Sequence, residues 1–345
     1  MREVRPATSK SNTCNFEMMH NRNMKALVAT NNFPADFFDP VEVELHPLGE
    51  TEVRVEVDFA GVNYWDIMQM RGDAPLPASR IPGVEGSGRV QAVGARVTNL
   101  IPGDRVAWSK VSGSYAESVQ AEQGWFIAVP EGVSQEQAAA AIMQGTTAWY
   151  LAHQVVPIKS GDVAVVLAAA GGVGHLLCQL LIDLKLAVVG VVGNASKAPM
   201  ASAAGAGVVI VDSEDLVADV LQHAPKGATV VFDANGGDKA IRNLGMLGVQ
   251  GTVIYYGTAA GPLPKLDLAD LSAGSLGVRR VRGADYLGGV HQWRLTASMV
   301  LSSVAAGALR SHVHSTLPLN DAALQHDAMK SRTSTGKLLL RVSGT

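Results

Sequence analysis

The rhythm of hydrophobic and polar positions changes twice along this chain. Residues 24–120 read as many short strands. Thr51-Glu52-Val53-Arg54-Val55-Glu56-Val57 alternates polar and apolar, as a strand buried on one face does. Arg89-Val90-Gln91-Ala92-Val93-Gly94 and Asp104-Arg105-Val106-Ala107-Trp108 are further strands, and Pro82-Gly83 and Pro102-Gly103 punctuate them. Short strands separated by turn residues predict a small barrel. The alanine-rich stretch 135–152 reads as one helix or two leading out of it. From residue 163 the period changes. Strands at 163–167, 187–192, 208–211, 229–232 and 252–256 alternate with helices at 175–185, 197–204, 215–223 and 239–247. Such a series predicts a parallel sheet with helices on both faces, an α/β doubly wound unit. Residues 275–281 supply a sixth strand for the sheet edge, 293–307 a helix, and 311–317 and 336–342 two strands able to rejoin the barrel. Residues 1–23 are polar and aperiodic and read as an appendage: a disordered arm, an expression remnant or the product of an upstream start codon.

Composition narrows the class. The 345 residues suffice for two domains, and 47% hydrophobic residues with 5% aromatics and 36 glycines suit an α/β protein with many tight turns. A net charge of −3 gives no reason to expect nucleic acid or an anionic membrane as a partner. No apolar run reaches the roughly 18 residues of a membrane span, and no apolar segment follows the charged N-terminus as in a secretory signal. Two cysteines, Cys14 and Cys178, make neither a disulfide framework nor a structural zinc site. The expected compartment is the cytosol.

The candidate chemistry starts where strand 163–167 ends, at Ala168-Ala169-Ala170-Gly171-Gly172-Val173-Gly174. A strand, a turn without bulky side chains and a helix N-terminus let backbone N–H groups approach a pyrophosphate. In NAD-binding proteins a carboxylate commonly closes the next strand, roughly 20 residues after the turn, and holds the ribose 2′-hydroxyl. Here that strand ends Gly193-Asn194-Ala195-Ser196-Lys197. A glycine, small polar residues and a lysine accommodate a 2′-phosphate, so the expected cofactor is NADPH. Ala170, Gly171, Gly172, Val173, Gly193, Lys197, Asn235 after the fourth strand, and Tyr256 and Gly257 after the fifth are the candidate cofactor-binding residues. His312 and His314 sit two apart on a strand, but no third metal ligand is visible beside them.

Several motifs in order carry a family resemblance: Ala60-Gly61-Val62-Asn63-Tyr64-Trp65-Asp66, Pro82-Gly83-Val84-Glu85-Gly86-Ser87-Gly88, Pro102-Gly103-Asp104-Arg105-Val106, Gln144-Gly145-Thr146-Thr147-Ala148, the glycine turn, and Gly336-Lys337-Leu338-Leu339-Leu340. From residue 24 to 342 the chain resembles the zinc-free, quinone-oxidoreductase (zeta-crystallin-like) branch of the medium-chain dehydrogenase/reductase superfamily. The resemblance implies a GroES-like β-barrel catalytic domain, 24–144 and 284–345, with a doubly wound Rossmann domain, 145–283, inserted. It puts Asn63 near the nicotinamide ribose and the reacting centre, Gln144 and Thr147 along the nicotinamide half, Gly193 and Lys197 at the 2′-phosphate, and Arg332 near the cofactor from the barrel side. It also implies a homodimer formed through the sheet edge at 275–281. The chain departs from the pattern at Met68, Leu167 and Val211-Asp212. The last weakens the NADPH expectation, because Asp212 is a poor neighbour for a phosphate.

Catalytic zinc usually needs three protein ligands. Where zinc-dependent relatives carry Cys and the His of Gly-His-Glu, this chain has Asn63 and Val84, and Glu85 supplies one ligand at most. Without a Lewis acid, hydride addition needs an acceptor that is already polarised, such as a quinone or an α,β-unsaturated carbonyl. Asn63 and Tyr64 are the candidate donors to the developing oxyanion. Trp65, Met68, Met70, Trp108 and Met143 are candidates for an apolar substrate pocket, or for core. Two other readings stay open: a pathway-specific enoyl reductase or cyclase, and a non-catalytic NADPH-binding protein.

Overall fold

The computed structural model describes residues 23–29 and 38–343. Strands β1 (Asn23–Ala29) and β2 (Phe38–Glu44) pair antiparallel as a two-stranded sheet. Asn23 pairs with Glu44, so the last residue of the polar segment belongs to β1. Residues 1–22, Cys14 among them, lie outside the described residues.

A seven-stranded sheet follows. It uses β3 (Glu52–Val62), β4 (Glu85–Val93), β5 (Arg105–Ser109), β6 (Ser118–Glu122) and β7 (Ile127–Ala128), with helix α1 (Tyr64–Arg71) after β3. The alternation expected of β3 is present, with Val53, Val55 and Val57 wholly buried. Helix α2 (Gln135–His153) is one continuous helix; Ser134 caps it, accepting from Gln137 N–H at 3.1 Å. It runs from the barrel into the next unit, so the expected junction at 144/145 falls inside a helix.

The chain then alternates β8 (Val163–Leu167), α3 (Gly172–Asp183), β9 (Ala187–Val192), α4 (Ala198–Ala203), β10 (Val208–Val211), α5 (Leu216–His223), β11 (Ala228–Asp233), a 3-10 helix (Asp238–Met246), β12 (Leu247–Tyr255) and β13 (Gly277–Arg280). All pairings are parallel, in the order β10-β9-β8-β11-β12-β13. Strand order reverses between β8 and β11, which opens a crevice at the carboxyl ends of the strands. Alternate residues feed two cores. Ala164, Val166 and Phe232 pack with α2 and α3, while Val165, Leu167 and Val231 pack with α5 and the 3-10 helix. The segment 238–246 is 3-10 where an α-helix is expected; Asn243 and Gly245 are poor helix formers within it.

Helices α6 (Gly283–Leu287) and α7 (Val290–Ala305) lead back to β14 (Val313–Pro318), α8 (Ala322–Lys330) and β15 (Lys337–Arg341). Strand β15 pairs antiparallel with the far half of β3, Leu339 opposite Gly61, so the C-terminal segment rejoins the first sheet. No helix among the described residues is long and apolar enough to cross a membrane.

Candidate active site at the cleft between the two sheets

The glycine turn lies at the mouth of the crevice. Helix α3 starts at Gly172 rather than His175, so the amides of residues 172–174 form its open first turn. The left-handed residue of the turn is Ala168, at φ 55°, not a glycine. Gly172 is required for space: a Cβ there would lie 2.0 Å from Gln144 Oε1. Gln144 and Gly172 are therefore neighbours. Thr147 donates its hydroxyl to Met143 O at 2.8 Å within α2.

The barrel closes on this turn through the segment between α8 and β15. Gly336 N–H donates to Ala170 O at 2.8 Å. Lys197 Nζ donates to Arg332 O at 2.6 Å and Ser334 O at 2.8 Å. Arg332, itself at φ 55°, donates from Nη2 to Ala259 O at 3.2 Å, and Tyr64 Oη reaches the same carbonyl at 3.4 Å. Gly193 faces open space. Partial burial, and then the neighbouring Arg332, pull the Lys197 pKa below the ordinary lysine value. Among the described residues its hydrogen bonds go to carbonyl oxygens and no carboxylate pairs with it, so an anion arriving beside Gly193 meets an uncompensated cation. Asp212 does not spoil the site, since Arg242 pairs with its carboxylate.

The other candidates divide. Asn235 N–H is held by Asp233 Oδ1 at 2.6 Å, which shapes the turn after β11. The Tyr256 ring packs on the Rossmann core with its hydroxyl buried without a hydrogen-bond partner, and burial drives its pKa well up. Gly257 lies against Ala234, where a Cβ would sit 2.3 Å from the carbonyl oxygen; this glycine serves strand-end packing. Met70 and Trp108 are fully buried core residues, whereas Trp65, Met68 and Met143 keep exposed surface.

Beneath Asn63 lies a charged cluster that the sequence reading missed. Lys337 and Glu85, both with 0% side-chain exposure, pair at 2.5 Å. Lys337 Nζ also donates to Val62 O at 3.0 Å and to Asn63 Oδ1 at 2.9 Å. Asn63 Nδ2 donates to Glu85 Oε2 at 2.9 Å and to Gly61 O at 3.2 Å, while Met143 N–H donates to Glu85 Oε1 at 2.8 Å. Every ammonium proton thus has an acceptor, and both ends of the Asn63 amide are engaged in the cluster. Asn63 is set as a positioned group at the start of α1. The pair needs Gly61, where a Cβ would come within 2.3 Å of Glu85 Oε2. Tyr64 Oη accepts from Arg71 Nη1 at 3.3 Å. Among the described residues no three His, Cys, Asp or Glu side chains converge as a metal site; His312 lies near His175, ring centres 6.4 Å apart, and His314 beside Thr335.

Comparison with known proteins agrees with this architecture. Residues 49–158 match the alcohol dehydrogenase GroES-like domain, and residues 172–302 the zinc-binding dehydrogenase domain. A probable quinone oxidoreductase of Schizosaccharomyces pombe is 34% identical over 82% of this chain and 86% of its own. The chain belongs to the quinone oxidoreductase branch of the medium-chain dehydrogenase/reductase family. A quinone oxidoreductase of Pseudomonas aeruginosa is 32% identical over 85% of this chain and 91% of its own. The crystal structure of Escherichia coli quinone oxidoreductase complexed with NADPH superposes with a TM-score of 0.86 at 30% identity, over 92% of this chain and 99% of that one. The Asn63, Val84 and Glu85 positions offer a single carboxylate, already paired with an ammonium.

Proposed function

We propose that the protein transfers a hydride from NADPH to a quinone or an α,β-unsaturated carbonyl without the help of a metal. The single observation that carries the acceptor class is the Lys337–Glu85–Asn63 cluster. A fixed ammonium holds Glu85, the carboxylate bonded to the Asn63 side chain, so that carboxylate is not free to ligate a Lewis acid, and the acceptor must bring its own polarisation. NADPH supplies the hydride from its nicotinamide ring when bound. The chain's residues do the rest. The α3 amides and Gly171–Val173 receive the pyrophosphate, Gly193 and Lys197 the 2′-phosphate, and Gln144 and Thr147 flank the nicotinamide half. Asn63 and Tyr64 face the reacting end, and Arg332 with its segment excludes water from the barrel side. Cytosolic action and a homodimer through β13 complete the reading. Strand β13 ends the sheet, with the exposed Val249 and Leu268 in adjoining segments, and an edge of that kind calls for a cover.

The test is NADPH consumption against quinones, enones and saturated carbonyls after dialysis against a chelator. Conjugated acceptors should turn over and saturated ones should not, with a rate unchanged by the chelator. Bound cofactor without turnover on any acceptor would instead favour a non-catalytic protein. Lys197→Ala tests the cofactor end. Losing a charge-assisted contact should weaken NADPH at least about tenfold and leave NADH nearly unchanged in fluorescence titrations. Equal losses for both cofactors would remove Lys197 from the phosphate site.

A further inference from the structure

Two acids, Asp212 and Glu214, follow β10 close to the site assigned above to the 2′-phosphate. The Asp212 N–H donates to Val192 O at 2.8 Å, which sets Asp212 level with Gly193 at the carboxyl edge of the sheet. Both acids are countered from the same 3-10 helix after β11. Lys239 pairs with Glu214 at 2.5 Å, but both side chains are largely exposed, so solvent and salt screen that pair. The other pair is different. Arg242 donates from Nη2 to Asp212 Oδ1 and from Nη1 to Ser213 O at 2.9 Å, with side-chain exposures of 17% for Arg242 and 30% for Asp212. Arg242 therefore clasps both the carboxylate and the backbone of the turn. Its Nε–H is buried without a partner, so the guanidinium is held there at some cost in an unmade hydrogen bond.

We propose that Arg242 is a specificity-determining residue for the cofactor: by cancelling Asp212 it lets an adenosine 2′-phosphate settle beside Gly193 and Lys197. The inference rests on the NADPH reading above. The charges Lys197, Asp212 and Arg242 sum to +1, and removing Arg242 leaves zero, with an unpaired carboxylate at the strand end. A free acid beside that point repels a phosphate and can accept hydrogen bonds from the hydroxyls of an unphosphorylated ribose. Arg242 does not replace Lys197 as a phosphate contact; it removes the obstacle that Asp212 presents.

Direct titration of NADPH and NADH against the full chain tests this. In Arg242→Gln, NADPH should bind at least tenfold more weakly, while NADH binds as before or more tightly. In the double variant Asp212→Asn/Arg242→Gln, which buries no lone charge and so guards against simple unfolding, NADPH affinity should return to within about threefold of the wild type. Equal loss of both cofactors in Arg242→Gln, no loss of either, or a double variant as weak for NADPH as the single one overturns the proposal. A wild-type protein that bound neither cofactor would sink the NADPH reading itself, and this inference with it.

Discussion

Replacing Lys337 by methionine should destabilise the protein by about 3–5 kcal/mol, the range for removing one partner of a buried ion pair. The methionine fills much of the volume, so the loss is electrostatic rather than a cavity. Glu85 would be left fully buried with two neutral donors, Asn63 Nδ2 and Met143 N–H, and no cation. The carboxylate must then either stay charged in a poorly polar site or take up a proton, and both states are disfavoured relative to the native pair. Asn63 also loses the donor that fixes its amide orientation. The double variant Lys337→Met/Glu85→Gln should regain most of the lost stability, because no unpaired charge remains. It should not regain full turnover, because Asn63 Oδ1 is still unanchored. Urea unfolding midpoints of the two variants decide the matter: a single variant within about 1 kcal/mol of the wild type, or a double variant no better than the single one, would mean that the pair is not the charged keystone described here.

The same cluster shows where sequence reading stops. The alternating strands, the βαβ rhythm and the glycine turn are local patterns, and they locate both sheets and the crevice. Lys337 and Glu85 are 252 residues apart, and only the pairing of both β15 and β4 with β3 brings them together. A signal existed all the same. Lys337 immediately precedes an apolar run, Leu338-Leu339-Leu340, and Glu85 stands among glycines and Val84. A charge set directly against an apolar run or among small residues in a strand is a reason to look for a partner. Asp212 illustrates the reverse error. Its sign alone argued against a phosphate, because the neutralising Arg242 comes from another strand's connection and no short-range pattern announces it. Tyr256 was placed correctly at the strand end, yet the twofold alternation of β12, continued past Tyr255, turns its ring into the core.

Asp66 should make stability fall as the pH rises from about 5 to 8, and by an amount that Asp66→Asn isolates. The carboxyl group caps the turn into α1, its Oδ2 accepting from Asn63 N–H at 2.8 Å and lying 3.3 Å from the Tyr115 hydroxyl. Its Oδ1 is buried without a partner. Complete burial therefore dominates, raising the pKa to about 7 against the opposing pull of the Asn63 N–H and Lys337. The folded chain then binds a proton that the unfolded chain releases near pH 4, so the native state holds more protons between those limits and loses stability as the pH climbs through them. Between pH 5 and pH 8 the shift corresponds to about 2–3 kcal/mol. Two histidines, His175 buried and His312 partly so, act with the opposite sign. Desolvation lowers the pKa values of His175 and His312, so their contribution weakens on acidification. The wild type alone reports the sum; the difference between wild type and Asp66→Asn cancels the histidines. Asparagine is neutral at every pH and retains an acceptor for the Asn63 N–H, so the variant should gain on the wild type by that 2–3 kcal/mol as the pH is raised from 5 to 8. Denaturant titrations at the two pH values measure it, and a stability difference that does not change with pH would show that Asp66 is ionised throughout that range, with its bare oxygen solvated after all.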